Sequence, residues 1–561
     1  MTGACRGIVV VPARDEEARI GACLEALAGQ TIGRDSFAVV VVLDACRDAT
    51  AEVAETAGRT LGLELTAVPG PGAGVGWARR VGMDLACARL LAAGPETGLI
   101  ASTDADSRPA PDWLERQLAH VDRGALAIAG LIELDVAEAA QLSRAVRGHR
   151  RRDAAARLAR VRALDPTAGH HHFGGASFGV TAGAYRRVGG LEPVADLEDA
   201  TFERRLRAHG VPVLRAADVR VHTSARRAGR AGRGLAVDLA VADWRDRGRH
   251  RAADFPVERL RRHAPRVTVT VIVPGGPGTD ALLGGTVAPL AAAGLLDEVV
   301  VLGGVAPVIE DAALRACTRT LPADGPAPRL GRPRGRGDAL WRTLAVTRGE
   351  LVCVLDPAVP DPGPERLAGL LGPLLDDPAV AFVKAAYDRP PGEASPVAEL
   401  MARPLLARHV PRLAAIADPL AREFAARREL LESIPFAAGE GVEVGVLVDA
   451  VQSCGLDALA ECRLGPPATP ERDGDAGELA CAVLAAVEHR ISGRPDGIDE
   501  PDGRLMSPGD PAAVISVVTE ERPALRASPP PPPVAGAAAS DQSRRRARSS
   551  SPSSTRWPSP H

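Results

Sequence analysis

The sequence predicts an α/β protein built on mostly parallel sheets, and three observations carry that expectation. Near-continuous runs of apolar, largely β-branched residues recur at Gly7-Ile8-Val9-Val10-Val11, Phe37-Ala38-Val39-Val40-Val41-Val42-Leu43 and Gly98-Leu99-Ile100-Ala101. Between them stand stretches whose apolar residues fall at helical spacing, such as Ile20, Cys23, Leu24 and Leu27. Strands apolar on both faces and alternating with helices indicate a parallel sheet covered on both sides. Third, the series recurs. Val267 to Pro274, Glu298 to Leu302 and Glu350 to Asp356 repeat the strands ending at Pro12, Leu43 and Asp104, with small changes of spacing that loop deletions accommodate. Two units in tandem are expected.

Taken in order, the first strand runs into Pro12-Ala13-Arg14-Asp15-Glu16-Glu17, and the second ends in Asp44, with Asp48 at a helix start. A glycine-rich turn, Gly70 to Gly76, leads into a helix carrying Arg79 and Arg80. The next strand ends in Thr103-Asp104-Ala105-Asp106-Ser107. Two carboxylates one residue apart project to the same side of an extended or turning segment, and a divalent cation can draw both to one point. Hard oxygen ligands suit Mg²⁺ or Mn²⁺, which complete their shell with phosphate oxygens and water. The carboxyl ends of the strands are the usual ligand position in open α/β sheets, so this pair points to a diphosphate. Further on, Asp196-Leu197-Glu198-Asp199 precedes a helical rhythm from Ala200 to Leu206. By itself such an acidic start also reads as a cap that complements the helix dipole.

The Pro12 to Glu17 turn, Val42-Leu43-Asp44, Gly74-Val75-Gly76 through Arg79-Arg80, Thr103 to Asp106 and Leu197-Glu198-Asp199 stand in an order that resembles family 2 glycosyltransferases with the GT-A fold, over roughly residues 5 to 225. That resemblance implies a nucleotide-sugar donor, carrying a UDP or GDP leaving group, and an acceptor hydroxyl. It implies that Pro12, Arg14, Glu16 and Asp44 line the nucleoside pocket and that Gly76 belongs to the donor-binding turn. Arg79 or Arg80 would reach the diphosphate, since a planar guanidinium suits phosphate. Asp106 would be the direct metal ligand, with Asp104 nearer the ribose or a metal-bound water. Asp199, beside Glu198, matches the general base of an inverting displacement. His222 matches a late metal-binding histidine, and a strand-end surface histidine is the other reading. In His170 to Gly179, His172, Gly174, Gly175 and Ala176 are read as acceptor-binding, against a plain loop. Three adjacent histidines cannot all face one ion, which argues against a tri-histidine metal site.

The second unit resembles glucosyl-3-phosphoglycerate synthases. The likeness lies in Gly335 to Arg342, Phe382-Val383-Lys384 (which holds the only lysine of the chain), Glu399 to Leu406, Arg427 to Phe436 and Gly441 to Gly445. Gly275 to Gly278 replaces Arg14 to Glu17, Gly303 replaces Asp44, and Asp356-Pro357-Ala358 replaces Asp104 to Asp106. Pro396-Val397-Ala398 stands where those synthases carry an acceptor-binding arginine and threonine, and only Pro466-Pro467-Ala468-Thr469 follows Leu464-Gly465, where a late metal-binding histidine is expected. The expectation is a degenerate unit that keeps its fold and has lost catalysis. The expected boundaries are a first unit over 1–225, an arginine-rich connector over 226–265 and a second unit over 266–470. A partly ordered extension over 471–522 and a disordered tail rich in proline, serine and arginine over 523–561 follow.

With 68 basic and 71 acidic residues the charge is nearly balanced, which gives no support for nucleic acid as a partner. The arginines from Arg226 to Arg262 read either as a solvated connector or as a surface for the donor diphosphate or a membrane. Nine cysteines without a C-x-x-C pair fit reduced thiols in a cytoplasm. No apolar run reaches the length of a membrane span, while peripheral membrane contact and a homodimer stay open. Three functions are weighed: a metal-dependent inverting transferase working through the first unit, a retaining glucosyl-3-phosphoglycerate synthase, and a non-catalytic scaffold.

Overall fold

The computed structural model describes residues 5–94, 96–194, 197–227, 229, 232–263, 269–276, 278–303, 307–322, 333–358, 363–389, 395–466, 476–492, 503–507 and 510–527. Two compact units result, one of residues 1–248 with 410–415, the other of 249–409 and 416–561. The division falls inside the stretch read as a connector, whose first half builds a helix of unit one and whose second half builds an edge strand of unit two. The C-terminal tail from 528, and Asp196 in the acidic stretch, lie outside the described residues. Within the expected disordered tail, Leu525–Ala527 forms a short helical turn and the indole of Trp341 donates to the carbonyl of Pro523 at 2.8 Å.

Unit one carries β1 (Gly7–Ala13), β2 (Phe37–Leu43), β3 (Leu65–Pro69), β4 (Leu99–Ser102), β5 (Ser107–Pro109), β6 (Ala127–Leu134), β7 (Phe178–Thr181) and β8 (Val213–Thr223). They form one sheet in the order β3-β2-β1-β4-β7-β6-β8-β5. β1 runs parallel to β2 and β4, β7 runs antiparallel to β4 and β6, and β5 runs antiparallel to β8. All seven residues of β1 are buried, as a central strand covered on both faces requires. Its alternate side chains divide between two cores: Val9 and Val11 pack with Leu24 and Trp113, while Ile8 and Val10 pack with Met83 and Phe202.

The helices of this unit are α1 (Ile20–Ala28), α2 (Thr50–Leu61), α3 (Val75–Ala93), α4 (Trp113–Asp122), α5 (Val136–Ala140), α6 (Arg144–Arg162), α7 (Ala182–Arg187), α8 (Glu198–Ala208) and α9 (Leu235–Arg247). α3 begins where the glycine-rich turn ends. A side chain at Gly76 would place its Cβ 2.1 Å from the carbonyl oxygen of Val194, so only glycine lets α3 approach the chain entering α8.

Unit two repeats the plan with β9 (Arg249–Arg251), β10 (Val269–Pro274), β11 (Glu298–Leu302), β12 (Thr318–Leu321), β13 (Leu351–Val354), β14 (Phe382–Ala386), β15 (Phe424–Arg427), β16 (Phe436–Ala437) and β17 (Leu459–Arg463). Its large sheet runs β12-β11-β10-β13-β15-β14-β17-β9, which matches the first sheet strand for strand except at the last edge. In unit one that edge is β5, the strand that directly follows Asp106. In unit two it is β9, parallel to β17 and drawn from the chain ahead of the unit. Gly337 repeats the Gly76 contact, its would-be Cβ lying 1.8 Å from the carbonyl oxygen of Ala437. The tandem α/β architecture expected from the sequence is the one observed. Among the described residues no helix is long and apolar enough to cross a membrane.

Candidate active site

The carboxyl ends of β1, β2 and β4 and the start of α8 bring the acidic residues of unit one around a buried arginine. Arg79, on the first turns of α3, is 1% exposed. Its Nε donates to Glu198 at 3.0 Å and its Nη2 to Asp104 at 2.7 Å, while Nη1 donates to Ser102 Oγ and, at 3.0 Å, to the carbonyl of Gly175. The guanidinium also lies 5.9 Å from the centre of the Phe178 ring. Burial opposes its charge, but Asp104 and Glu198 outweigh burial and hold it firmly protonated. Arg79 therefore ties β4, the Gly175 loop and α8 together. Four of its five N–H donors are thus engaged within the protein, so the guanidinium is bound among carboxylates rather than presented as an open fork. Arg80 is bound to Asp84 and to the carbonyl of Leu191 at 2.7 Å.

Asp199 sits one residue into α8. Its Oδ2 accepts from the amide of Gly175 at 3.1 Å and its Oδ1 from the amide of Ala200 at 2.6 Å. Burial raises its pKa, and burial likewise raises that of Glu198 against the pull of Arg79. The loop from His170 to Ala176 lies alongside: a side chain at Gly174 would come 3.7 Å from Asp199 Oδ2, and one at Gly175 would run into Arg79. Ala176 is buried. Nδ1 of His172 accepts from the amide of Ile132 at 3.3 Å, and burial, helped by the two neighbouring histidines, lowers its pKa to about 3. His172 is thus a neutral ring held against β6.

Asp106 is bound by Arg226, whose Nη2 lies 2.9 Å from its Oδ2 and 2.7 Å from Oε1 of Glu16. No local pattern announces this contact, since Arg226 and Glu16 are 210 residues apart. Burial, with Asp104 adding to it and Arg226 opposing, pushes Asp106 up to about 6. β5 anchors the residue: the next side chain, Ser107, donates its hydroxyl to Thr223 on β8 at 2.9 Å. Asp104 and Asp106 are hard oxygen ligands of the kind a divalent cation takes, and each is paired here with an arginine, Arg79 and Arg226 respectively. His222 comes from the strand that pairs with β5. It lies on β8 opposite Arg108 and Glu133, and its buried Nδ1 has no hydrogen-bond partner among the described residues. Among the described residues no group of three His, Cys, Asp or Glu side chains is arranged to hold a metal.

On the donor side, Pro12 and Glu16 are buried and Arg14 is exposed. Asp44 spends both oxygens on the glycine-rich turn, accepting from the amides of Gly72 at 2.7 Å and Gly74 at 3.0 Å. It shapes that turn, an Asx-type role the strand-end position alone did not reveal.

The corresponding positions of unit two differ. Asp356 follows β13, Ala358 stands where Asp106 would be, and among the described residues no strand like β5 follows it. Glu423 is buried against Arg366 at 3.0 Å and the hydroxyl of Tyr387 at 3.0 Å. Lys384 is fully buried, lies 5.7 Å from the centre of the Phe424 ring, and has no hydrogen-bond partner among the described residues. Burial lowers its pKa to about 8.

A parallel α/β sheet with carboxylates converging at its strand ends is the architecture of a nucleotide-sugar-dependent glycosyltransferase, and residues 6–233 match the family described as "Glycosyltransferase like family 2". The glucosyl-3-phosphoglycerate synthase of Mycolicibacterium paratuberculosis is 38% identical over 244 residues, which are 41% of this chain and 74% of that protein. The Mycobacterium tuberculosis synthase is 38% identical over 216 residues, 36% of this chain and 66% of that protein. The chain belongs to the glycosyltransferase family of the glucosyl-3-phosphoglycerate synthases. A solved structure of the M. tuberculosis enzyme with Mn²⁺, UDP-glucose and phosphoglyceric acid is 33% identical, covering 49% of this chain and 95% of that one at a TM-score of 0.42.

Proposed function

We propose that unit one transfers a sugar from a nucleotide-sugar donor to an acceptor hydroxyl with inversion, with Asp199 as the general base. The observation that carries this reading is the joint placement of Asp199, Glu198 and Asp104 around Arg79, with Asp106 held beside them by β5. Asp199 Oδ2 would take the proton of the acceptor hydroxyl as its oxygen bonds to the anomeric carbon, while the bond from that carbon to the diphosphate oxygen breaks on the opposite face. The raised pKa makes the carboxylate a better base than an exposed aspartate. The amide of Gly175 orients it, and the neutral His172 and glycine backbone of the neighbouring loop leave room for the acceptor. Asp106, with Asp104 nearby, would hold Mg²⁺ or Mn²⁺, which supplies charge neutralisation to the departing diphosphate.

A second reading follows from the relatives: glucose transfer to 3-phosphoglycerate with retention, through unit two. The absence of a counterpart to Asp106 in unit two weighs against it. Calorimetric titration of UDP and GDP, with and without Mn²⁺, into the full chain and into Asp106→Ala separates the two. Loss of metal-dependent binding in the variant supports the site in unit one, and unchanged binding moves the site to unit two. The anomeric configuration of the product, read by NMR, then decides between inversion and retention.

A further inference from the structure

The chain as a whole carries a formal charge of −3, yet one helix concentrates positive charge. α6 holds eight arginines and a single acid, Asp153. Elsewhere in unit one arginines reach carboxylates, as Arg79, Arg108, Arg116 and Arg215 do. In α6 only Arg157 does so, pairing with Asp153 at 2.8 Å and Asp238 at 3.2 Å. Arg144, Arg150, Arg151, Arg152 and Arg160 have no carboxylate partner among the described residues, and all of these but Arg150 are exposed. Arg144, Arg147, Arg151 and Arg162 recur at helical spacing and so share one outward face, with Ala155 and Leu158 between them. The opposite side is fixed to the unit, for Val146 is buried in a small core with Leu239 and Ala242 of α9.

We propose that α6 is a docking surface for an anionic lipid bilayer. Arginines without a carboxylate partner among the described residues, set along one helix face, complement a sheet of lipid phosphates. Two large apolar side chains bracket it: Val136, on α5 just before it, is 76% exposed, and Leu164, just after it, is 78% exposed. Exposed apolar groups beside the basic face suit the boundary between headgroups and acyl chains. Single-stranded nucleic acid is disfavoured as the occupant, because residues 136–164 contain no Phe, Tyr or Trp on which a base could stack. This surface goes beyond the transferase reading and does not depend on which unit is catalytic.

The test is flotation of the full chain with vesicles of phosphatidylcholine alone and of phosphatidylcholine with phosphatidylglycerol. The expected result is binding only to the phosphatidylglycerol vesicles, weakening as salt is raised. The variant R144Q/R147Q/R151Q/R162Q should lose more than about tenfold in partition, since it removes the charge of the face that meets the anionic surface. The matching Arg→Lys variant should keep binding, which separates charge from folding. Equal binding to neutral vesicles, an unchanged Gln variant, or displacement from vesicles by a short RNA or DNA duplex at stoichiometric concentration would overturn the proposal.

Discussion

At the scale of single residues, Arg79 is the cation on which the site is organised. Its removal leaves Glu198, 4% exposed, as a buried carboxylate with no compensating charge. Arg79→Leu should cost about 3–5 kcal/mol of stability, measured by urea unfolding, because breaking one side of a buried ion pair strands the other. Asp106 makes the opposite case. Its carboxyl is pushed up to about 6 by burial and by Asp104, from an ordinary value of 3.8 in the unfolded chain. The folded state therefore holds this proton more tightly, so the group favours folding increasingly as pH falls from about 6 towards 4, and its charge works against folding above that window. Asp106→Asn should accordingly raise stability near pH 8 by about 1–3 kcal/mol, and the gain should vanish near pH 4. Equal gains at both ends would mean that Arg226 neutralises Asp106 fully.

At the scale of elements, two close approaches set the geometry. α3 meets the chain entering α8 across Gly76, and this brings Arg79 to Glu198. Gly76→Ala forces a Cβ into the carbonyl of Val194, so it should destabilise the unit by about 1–3 kcal/mol and loosen the Arg79 pair. Urea midpoints comparing Gly76→Ala, Arg79→Leu and the double variant would check this: effects that fall short of additive place both changes on one contact. β5 is the second device. It follows Asp106 at once and pairs with β8, so Asp106 is held on a short edge strand rather than on a free loop. The acidic motif was legible in the sequence because strand, motif and helix follow one another closely. The strand of three residues that fixes it was not, because so short a run has no periodicity of its own.

At the scale of the whole chain, two sheets share one strand order, and they differ in where the chemistry-bearing groups stand. Unit one gathers Asp104, Asp106, Glu198 and Asp199, whereas unit two keeps Asp356 and surrounds its counterpart strands with the buried pairs Arg366–Glu423 and Arg336–Glu443. If unit one is the catalyst, Asp199→Asn in the full chain should lower the transfer rate by about 10²–10⁴-fold, as loss of a general base does. Glu443→Gln, at the start of the corresponding helix of unit two, should leave that rate unchanged. Transfer that survives the first change and fails with the second would reverse the assignment.

The sequence by itself determined the α/β class, the duplication and the positions of the acidic motifs. Strand burial, helical spacing and carboxylates at strand ends are local patterns that survive without tertiary context. Only the tertiary structure decided how those residues are used. Arg79 is a buried tie between carboxylates, and Asp44 a clasp on the glycine-rich turn. His222 faces Arg108 and Glu133 in the sheet, and Arg226 comes from far along the chain to bind Asp106 and Glu16. The physical reason is common to all four. A charged side chain's role depends on its burial and its partners, and both are set by contacts between residues that the linear order keeps far apart.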